Sequence, residues 1–166
     1  RKTPYDLIAV RKGDRLINMD AQAPNRIFAE WAREHWPGIE QLRAESVYGS
    51  SRFDFRLETR TGTTFVEVKG VTLEENGYAR FPDAPTERGV KHIRELQRAA
   101  AEGYGAVLFF VVQMEGIHSV APNDQTHPAF GKALREAAAN GVKVLAYDCR
   151  VQPDWVELKD RVPVEL

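Results

Sequence analysis

Asp54, Glu67 and Lys69 are the three side chains of this sequence whose types and spacing could hold a metal ion and activate water. Asp54 lies in the run Ser50-Ser51-Arg52-Phe53-Asp54-Phe55-Arg56-Leu57-Glu58, and Glu67 and Lys69 lie in Thr64-Phe65-Val66-Glu67-Val68-Lys69-Gly70-Val71-Thr72. Both runs are rich in Phe, Val and Thr, and Thr59-Arg60-Thr61-Gly62 between them has turn composition, so two antiparallel strands are predicted. With the loop centred between Arg60 and Thr61, Glu58 faces Thr63, Leu57 faces Thr64 and Asp54 faces Glu67. Opposed side chains have Cβ atoms about 4.5–5.5 Å apart, where like charges repel. A divalent cation, Mg2+ or Mn2+, offsets that repulsion, because such hard ions are held by carboxylate oxygens and water. The alternative is a shared proton, which needs one strongly raised pKa. Lys69, two residues beyond Glu67, falls on the same strand face and lies diagonal to Asp54 at about 7–8 Å. Its ammonium can orient a water and steady charge on a phosphate, and as the neutral amine it can deprotonate that water. The apolar residues around Glu67 and Lys69 predict partial burial, where unpaired charge is costly.

The elements that must position these groups are legible in outline. Tyr5 to Val10, a turn at Lys12-Gly13-Asp14, and Arg15 to Met19 predict a first hairpin. A helix near 24–35 follows, with Asp20 as cap, Pro24 in the first turn and Ile27, Phe28, Trp31 and Ala32 as its apolar stripe. Glu45 to Tyr48 predicts a short strand leading into the central hairpin, with Tyr48 either in the core or on an exposed edge. Leu73 to Pro85 is expected to be a long ordered loop beside the site, broken by Gly77, Pro82 and Pro85. Thr86 is a good N-cap for a helix over Glu87 to Ala101, buried through Val90, Ile93, Leu96 and Ala100. Gly105 to Val112 is an unbroken apolar run, as expected of a central strand covered on both faces. A helix near 128–140 ends at Gly141, Val142 to Tyr147 gives another strand, and Trp155 to Leu158 an edge strand. The fold class is α/β, a mixed central sheet flanked by helices.

Composition narrows the setting. The chain has 166 residues, 43% of them hydrophobic, enough for one domain with a sizeable core. It contains no long apolar span and no signal peptide, so no membrane role is expected. A single Cys149 fits a reducing cytoplasm and a buried structural thiol. The four histidines, His35, His92, His118 and His127, lack zinc-ligand spacing. A net charge of −1 means that any nucleic-acid affinity must come from a local patch.

Asp54 followed on the next strand by Glu67-x-Lys69 resembles the PD-(D/E)xK signature of restriction-endonuclease-like nucleases. Three longer blocks are similar to the sugar fermentation stimulation protein (SfsA) family: Tyr48 to Phe55, Glu67 to Leu73, and Phe81-Pro82-Asp83-Ala84-Pro85-Thr86-Glu87-Arg88-Gly89-Val90-Lys91-His92. The resemblance covers essentially the whole chain. It implies a DNA-binding protein linked to regulation of sugar-utilisation genes, with a PD-(D/E)xK nuclease fold over residues 21–166. It also implies that residues 1–20 connect to a small oligonucleotide-binding barrel domain, expected to have been removed from this fragment. Asp54 and Glu67 would then hold the metal and Lys69 would act in catalysis, with DNA, or alternatively RNA, as partner. Arg52, in the first block, and Arg88 and Lys91, at the start of the second helix, are candidates for phosphate contact; a solvated basic face with Arg94 and Arg98 is the other reading. Nucleases of this fold often carry a further acidic residue on the first helix, where this chain has Asn25. That Asn could bind a metal water or a phosphate, or make a helix-start hydrogen bond. Asp83 and Thr86 lie in the third block, Asp83 being equally a turn-former, and Gln113 falls where polar residues of this fold approach the site. Three functions follow: a metal-dependent nuclease, a DNA-binding regulator without turnover, or an interaction domain for another protein.

Overall fold

A computed structural model describes residues 8–166. A hairpin of β1 (Ala9–Lys12) and β2 (Arg15–Asn18) opens it, followed by α1 (Ala23–His35), β3 (Ile39–Tyr48), β4 (Ser51–Thr59) and β5 (Gly62–Val71). Two short strands, β6 (Leu73–Glu75) and β7 (Tyr78–Phe81), precede α2 (Glu87–Ala101) and β8 (Gly105–Val112). Then come β9 (Ser119–Pro122), α3 (Pro128–Ala139), β10 (Lys143–Gln152) and β11 (Trp155–Arg161). Six strands form the main sheet in the order β11-β10-β8-β5-β4-β3, and β6-β7-β9 form a small second sheet. β8 runs parallel to both β5 and β10, while the outer pairs are antiparallel. The expected mixed α/β sheet is therefore present.

Helices cover both faces of this sheet. Seven of the eight residues of β8, Ala106 through Val112, are buried, because alternate side chains enter different cores. Ala106, Leu108, Phe110 and Val112 join Phe130 of α3 and Ile93 and Leu96 of α2. Val107, Phe109 and Val111 join α1 and the buried Cys149, whose thiol burial pushes up in pKa. Phe28 is the centre of the α1 layer, with ring centroids 5.1 Å from Phe55 and 4.8 Å from Phe109.

Several local expectations change. β3 extends over ten residues rather than only Glu45 to Tyr48; as an edge strand it leaves Glu40, Gln41, Arg43 and Glu45 exposed, which hides the alternation. The segment after Thr72 is a hairpin, not an irregular loop. Its two-residue turn is Asn76-Gly77, with φ of 53° and 86°, the positive-φ pair that such turns require and that Asn-Gly supplies at little cost. Asp20 does not cap α1: its Oδ1 accepts the Gln22 amide at 2.9 Å, ahead of the helix, and Gln22 is the N-cap. Thr86 does cap α2, its hydroxyl accepting the Gly89 amide at 2.9 Å. Tyr48 belongs to the core edge, its ring stacked on Phe53 at 5.8 Å and tilted against Phe65 at 5.1 Å. The first hairpin is present over Ala9–Asn18; the expected strand residues Tyr5 to Leu7 lie outside the described residues.

Phe28 is completely buried, so Phe28→Ala removes a large ring and leaves a cavity between α1 and the sheet. The expected loss is about 3–5 kcal/mol, read as a lower urea midpoint at unchanged slope.

Candidate functional site

The β4–β5 hairpin forms in the predicted register, with Glu58 opposite Thr63 and Leu57 opposite Thr64, but its ladder ends at Phe55 opposite Val66. At the next residue the strand alternation slips. Phe55 packs on Phe28 beneath α1, whereas Phe53 packs on Tyr48 and Phe65 beneath α2. Two neighbours of one parity thus lie on opposite faces, with Asp54 at the crossover. On the other side of β4, paired residues step from Ala44 opposite Phe55 to Ser46 opposite Phe53, and the intervening Glu45 has φ of 55°. A non-glycine residue is strained there.

This slip corrects the expected pairing of Asp54 with Glu67. Asp54 accepts the backbone amide of Val68, one residue further on, through Oδ2 at 2.7 Å. Its Oδ1 accepts from the Asn25 amide at 3.3 Å, so the first helix does reach the site at the position singled out in the sequence. The two carboxyl groups nevertheless act on one another. Burial, and next the charge of Glu67, push Asp54 up to about 6, although the Val68 amide and Lys69 pull the other way. For Glu67, burial also acts to raise the pKa, but the hydrogen bond from His92 and the charge of Lys69 outweigh it and the net shift is downward.

Glu67 sits in the middle of the sheet, 3% exposed, because β5 continues alongside β8 after leaving β4, with Glu67 opposite Leu108 and Lys69 opposite Phe110. Its Oε1 is 3.4 Å from Lys69 Nζ and 3.0 Å from His92 Nδ1. Its Oε2 is buried with no hydrogen-bond partner among the described residues. An unpaired oxygen of a buried carboxylate is expensive, and beside a second carboxylate it is the kind of atom a hard cation satisfies. The residues therefore fit a divalent ion. Among the described residues no group of three or more His, Cys, Asp or Glu is placed to share one. A cation held by Asp54 and Glu67 would complete its shell with water or substrate oxygens, as Mg2+ commonly does.

His92 is the residue that the sequence reading passed over as a site group. It is buried in α2 on the stripe that carries Gly89, Ile93 and Leu96. A polar side chain on such a stripe needs a polar partner, and that was the available signal. Gln113 is also buried, but its amide nitrogen donates to Asn18 Oδ1 at 2.9 Å and to the Asp20 carbonyl at 3.0 Å. It fastens the end of β8 to the connection before α1. Its Oε1 lies over Gly70, where a Cβ would come within 2.5 Å of that oxygen and 2.7 Å of Pro24. Only glycine permits this approach next to Lys69. Thr86 is engaged in its cap and donates its amide to His127 at 3.1 Å, while Asp83 is exposed in a bend. Arg52, Arg88 and Lys91 are exposed. Arg98, on the same helix as the last two, lies 3.7 Å from Glu95 and over the Tyr48 ring.

The chain matches the family model described as "Sugar fermentation stimulation protein RE domain" over residues 22–155. It is 56% identical over 167 residues to a sugar fermentation stimulation protein homolog of Desulfitobacterium hafniense strain Y51, covering 100% of this chain and 73% of that protein. A homolog from Ruminiclostridium cellulolyticum is 51% identical over 168 residues, with 100% and 74% covered. Among solved structures, Pyrococcus furiosus SfsA in complex with Ca2+ superposes with a TM-score of 0.87 at 27% identity, over 100% of this chain and 74% of that one.

The raised Asp54 pKa has a consequence for the metal-free protein. The native carboxyl binds its proton more tightly than the unfolded one, whose value is near 3.8. Stability from this group is therefore present at low pH and lost as pH rises from about 4 through about 6. In chelator, Asp54→Asn, which keeps an acceptor for Val68, should remove this slope. It should also stabilise the protein at pH 8 by roughly 1–2 kcal/mol after allowing for solvent screening, measured by urea denaturation across pH.

Proposed function

Because this chain belongs to the sugar fermentation stimulation protein (SfsA) family, we propose that it binds DNA and that its central hairpin holds Mg2+ or Mn2+ for hydrolysis of phosphodiester bonds. The observation that carries this reading is Glu67 Oε2, a buried carboxylate oxygen with no hydrogen-bond partner among the described residues, beside Asp54, whose pKa the Glu67 charge helps to raise. The Ca2+ in the Pyrococcus furiosus relative belongs to the same class of hard, oxygen-seeking ion. In this reading the main sheet and its helices are a PD-(D/E)xK fold, with Asp54, Glu67 and Lys69 as its three functional positions. The protein works in the cytoplasm, where its substrate is found; RNA is the alternative substrate.

The chain's own residues then divide the work. Asp54 and Glu67 hold the ion, and Asn25 and the Val68 amide hold Asp54. A bound divalent cation would supply Lewis-acid polarisation of a phosphodiester oxygen and acidify a water nucleophile. Lys69, kept partly buried against Glu67, steadies as an ammonium the charge that develops on the phosphate, or, once it has given up its proton, takes one from the water as the neutral amine. The exposed Arg52, Arg88 and Lys91 contact backbone phosphates. Arg88 and Lys91 do so beside the N-terminus of α2, whose free amides and dipole favour an anion.

A second reading rests on the small number of ligands. With two carboxylates and no larger cluster among the described residues, the site could serve a regulator of sugar-utilisation genes that binds DNA and a metal without turnover. Calorimetry and cleavage separate the two. Mn2+ should bind the wild-type protein, and Glu67→Gln should lose that binding; unchanged affinity would end the metal reading. Lys69→Met should keep Mn2+ affinity within a few-fold yet lower cleavage of DNA by about 10²-fold or more. Metal binding by the wild type without cleavage of any DNA or RNA form would favour the regulator.

DNA affinity should fall with salt according to few phosphate contacts. Arg88→Ala and Lys91→Ala should each reduce the slope of log affinity against log salt by about 0.9 on duplex DNA. Equal slopes in both variants and wild type would assign those side chains to a solvated face.

A further inference from the structure

The apolar stripe of α2 carries one polar residue into the core. His92 is 7% exposed between Gly89, Ile93 and Leu96, and its Nδ1 lies 3.0 Å from Glu67 Oε1 and 3.3 Å from Lys69 Nζ. The shorter contact decides the tautomer. A carboxylate oxygen can only accept, and a bare ring lone pair at 3.0 Å would be repelled by it, so Nδ1 carries a proton and donates to Oε1. Lys69 offers a second donor to the same oxygen at 3.4 Å. Glu67 is thereby divided: Oε1 has two donors, whereas Oε2 has none among the described residues.

We propose that His92 is a positioning residue that sets the cation preference of the site by occupying Glu67 Oε1, leaving Oε2 as the single oxygen Glu67 offers to an ion. This inference rests on the reading that Asp54 and Glu67 hold a divalent cation. One-oxygen binding suits a small ion that keeps an octahedral water shell. It disfavours Ca2+, which takes more oxygens, at longer distance, and readily accepts both oxygens of one carboxylate. Losing the His92 donor leaves Oε1 with only the longer Lys69 contact at 3.4 Å, which makes it more available to an ion and shifts the site toward Ca2+.

The test is the ratio of Ca2+ to Mn2+ affinity, measured by calorimetry on the full chain for wild type, His92→Phe and His92→Asn. The Phe variant keeps a ring and removes the donor; the Asn variant keeps a donor near the place of Nδ1. His92→Phe should raise the ratio about tenfold, the size of one hydrogen bond to a charged group, and His92→Asn should leave it near the wild-type value. Loss of packing alone would weaken both ions together and leave the ratio unmoved. If His92→Phe does not fold, His92→Leu also removes the donor and gives the same comparison. An unchanged ratio in a folded, ion-binding variant without the donor overturns the inference, as does an equal rise in His92→Asn. Wild-type protein that binds neither ion, or a Glu67→Gln variant that binds both as before, instead overturns the underlying metal reading and this inference with it.

Discussion

The hydrogen bond from the Val68 amide to the Asp54 carboxylate is the constraint on which the arrangement of the site depends. Two antiparallel strands that part company leave backbone amides without ladder partners, and a buried orphan amide costs as much as a lost hydrogen bond. Asp54 supplies a side-chain acceptor where the β4–β5 ladder stops. β5 can then leave β4 while it stays paired with β8 on its other edge, which carries Glu67 and Lys69 into the covered middle of the sheet. The same carboxylate faces Asn25 at the start of α1. One acidic side chain thus closes a backbone gap, meets the helix on one face and stands beside a second acid that is held by His92 from the helix on the other.

That economy has an electrostatic cost. The charge of Glu67 disfavours that of Asp54, and burial disfavours both. The compensation is unequal. Glu67 has Lys69 and His92 on one oxygen, enough to hold its pKa down, while Asp54 has amide donors only and is pushed up. Perturbed carboxyls paired in this way mark functional sites more often than scaffolding, because a protein selected for stability alone would replace them by apolar groups. The strained φ at Glu45, opposite Asp54, belongs to the same local distortion.

Much of this architecture was legible in the sequence, and the exceptions have physical causes. The register of the hairpin could be read because turn composition and alternation are local properties, and it holds from Thr59 to Phe55. The slip at Asp54 could not, because β5 runs on past the end of its β4 ladder while paired with β8 on its other edge, a pairing between segments some forty positions apart. His92 was hidden by a hydrophobic stripe that was read from its apolar members alone. Asn76-Gly77 is a readable turn signal, yet strands of three and four residues are too short to show alternation, so the sequence of β6 and β7 resembles a loop. β3 was shortened for the opposite reason: an edge strand with one wet face carries so many charged residues that its pattern resembles a surface loop.

The near-neutral net charge becomes compatible with phosphate binding once the cations are sorted by their partners. Arg15 and Lys12 are held by the buried carboxylate of Glu74, which fastens the first hairpin to β6. Arg56 pairs with Glu58, Arg135 with Asp124 and Lys159 with Glu115. A cation engaged in this way adds little field beyond its own pair, since the acid beside it cancels it within a Debye length of about 8 Å. Arg52, Arg88 and Lys91 stand apart from that set as exposed groups, two of them at the helix N-terminus whose residues face Glu67 from the inner side through His92. The same turns of α2 therefore present basic residues to solvent and a polar anchor to the carboxylate pair. Net charge sums over both kinds of cation, whereas a bound phosphate chain would meet the exposed ones, which have no acidic partner among the described residues, with the carboxylates drawn in beneath the sheet surface.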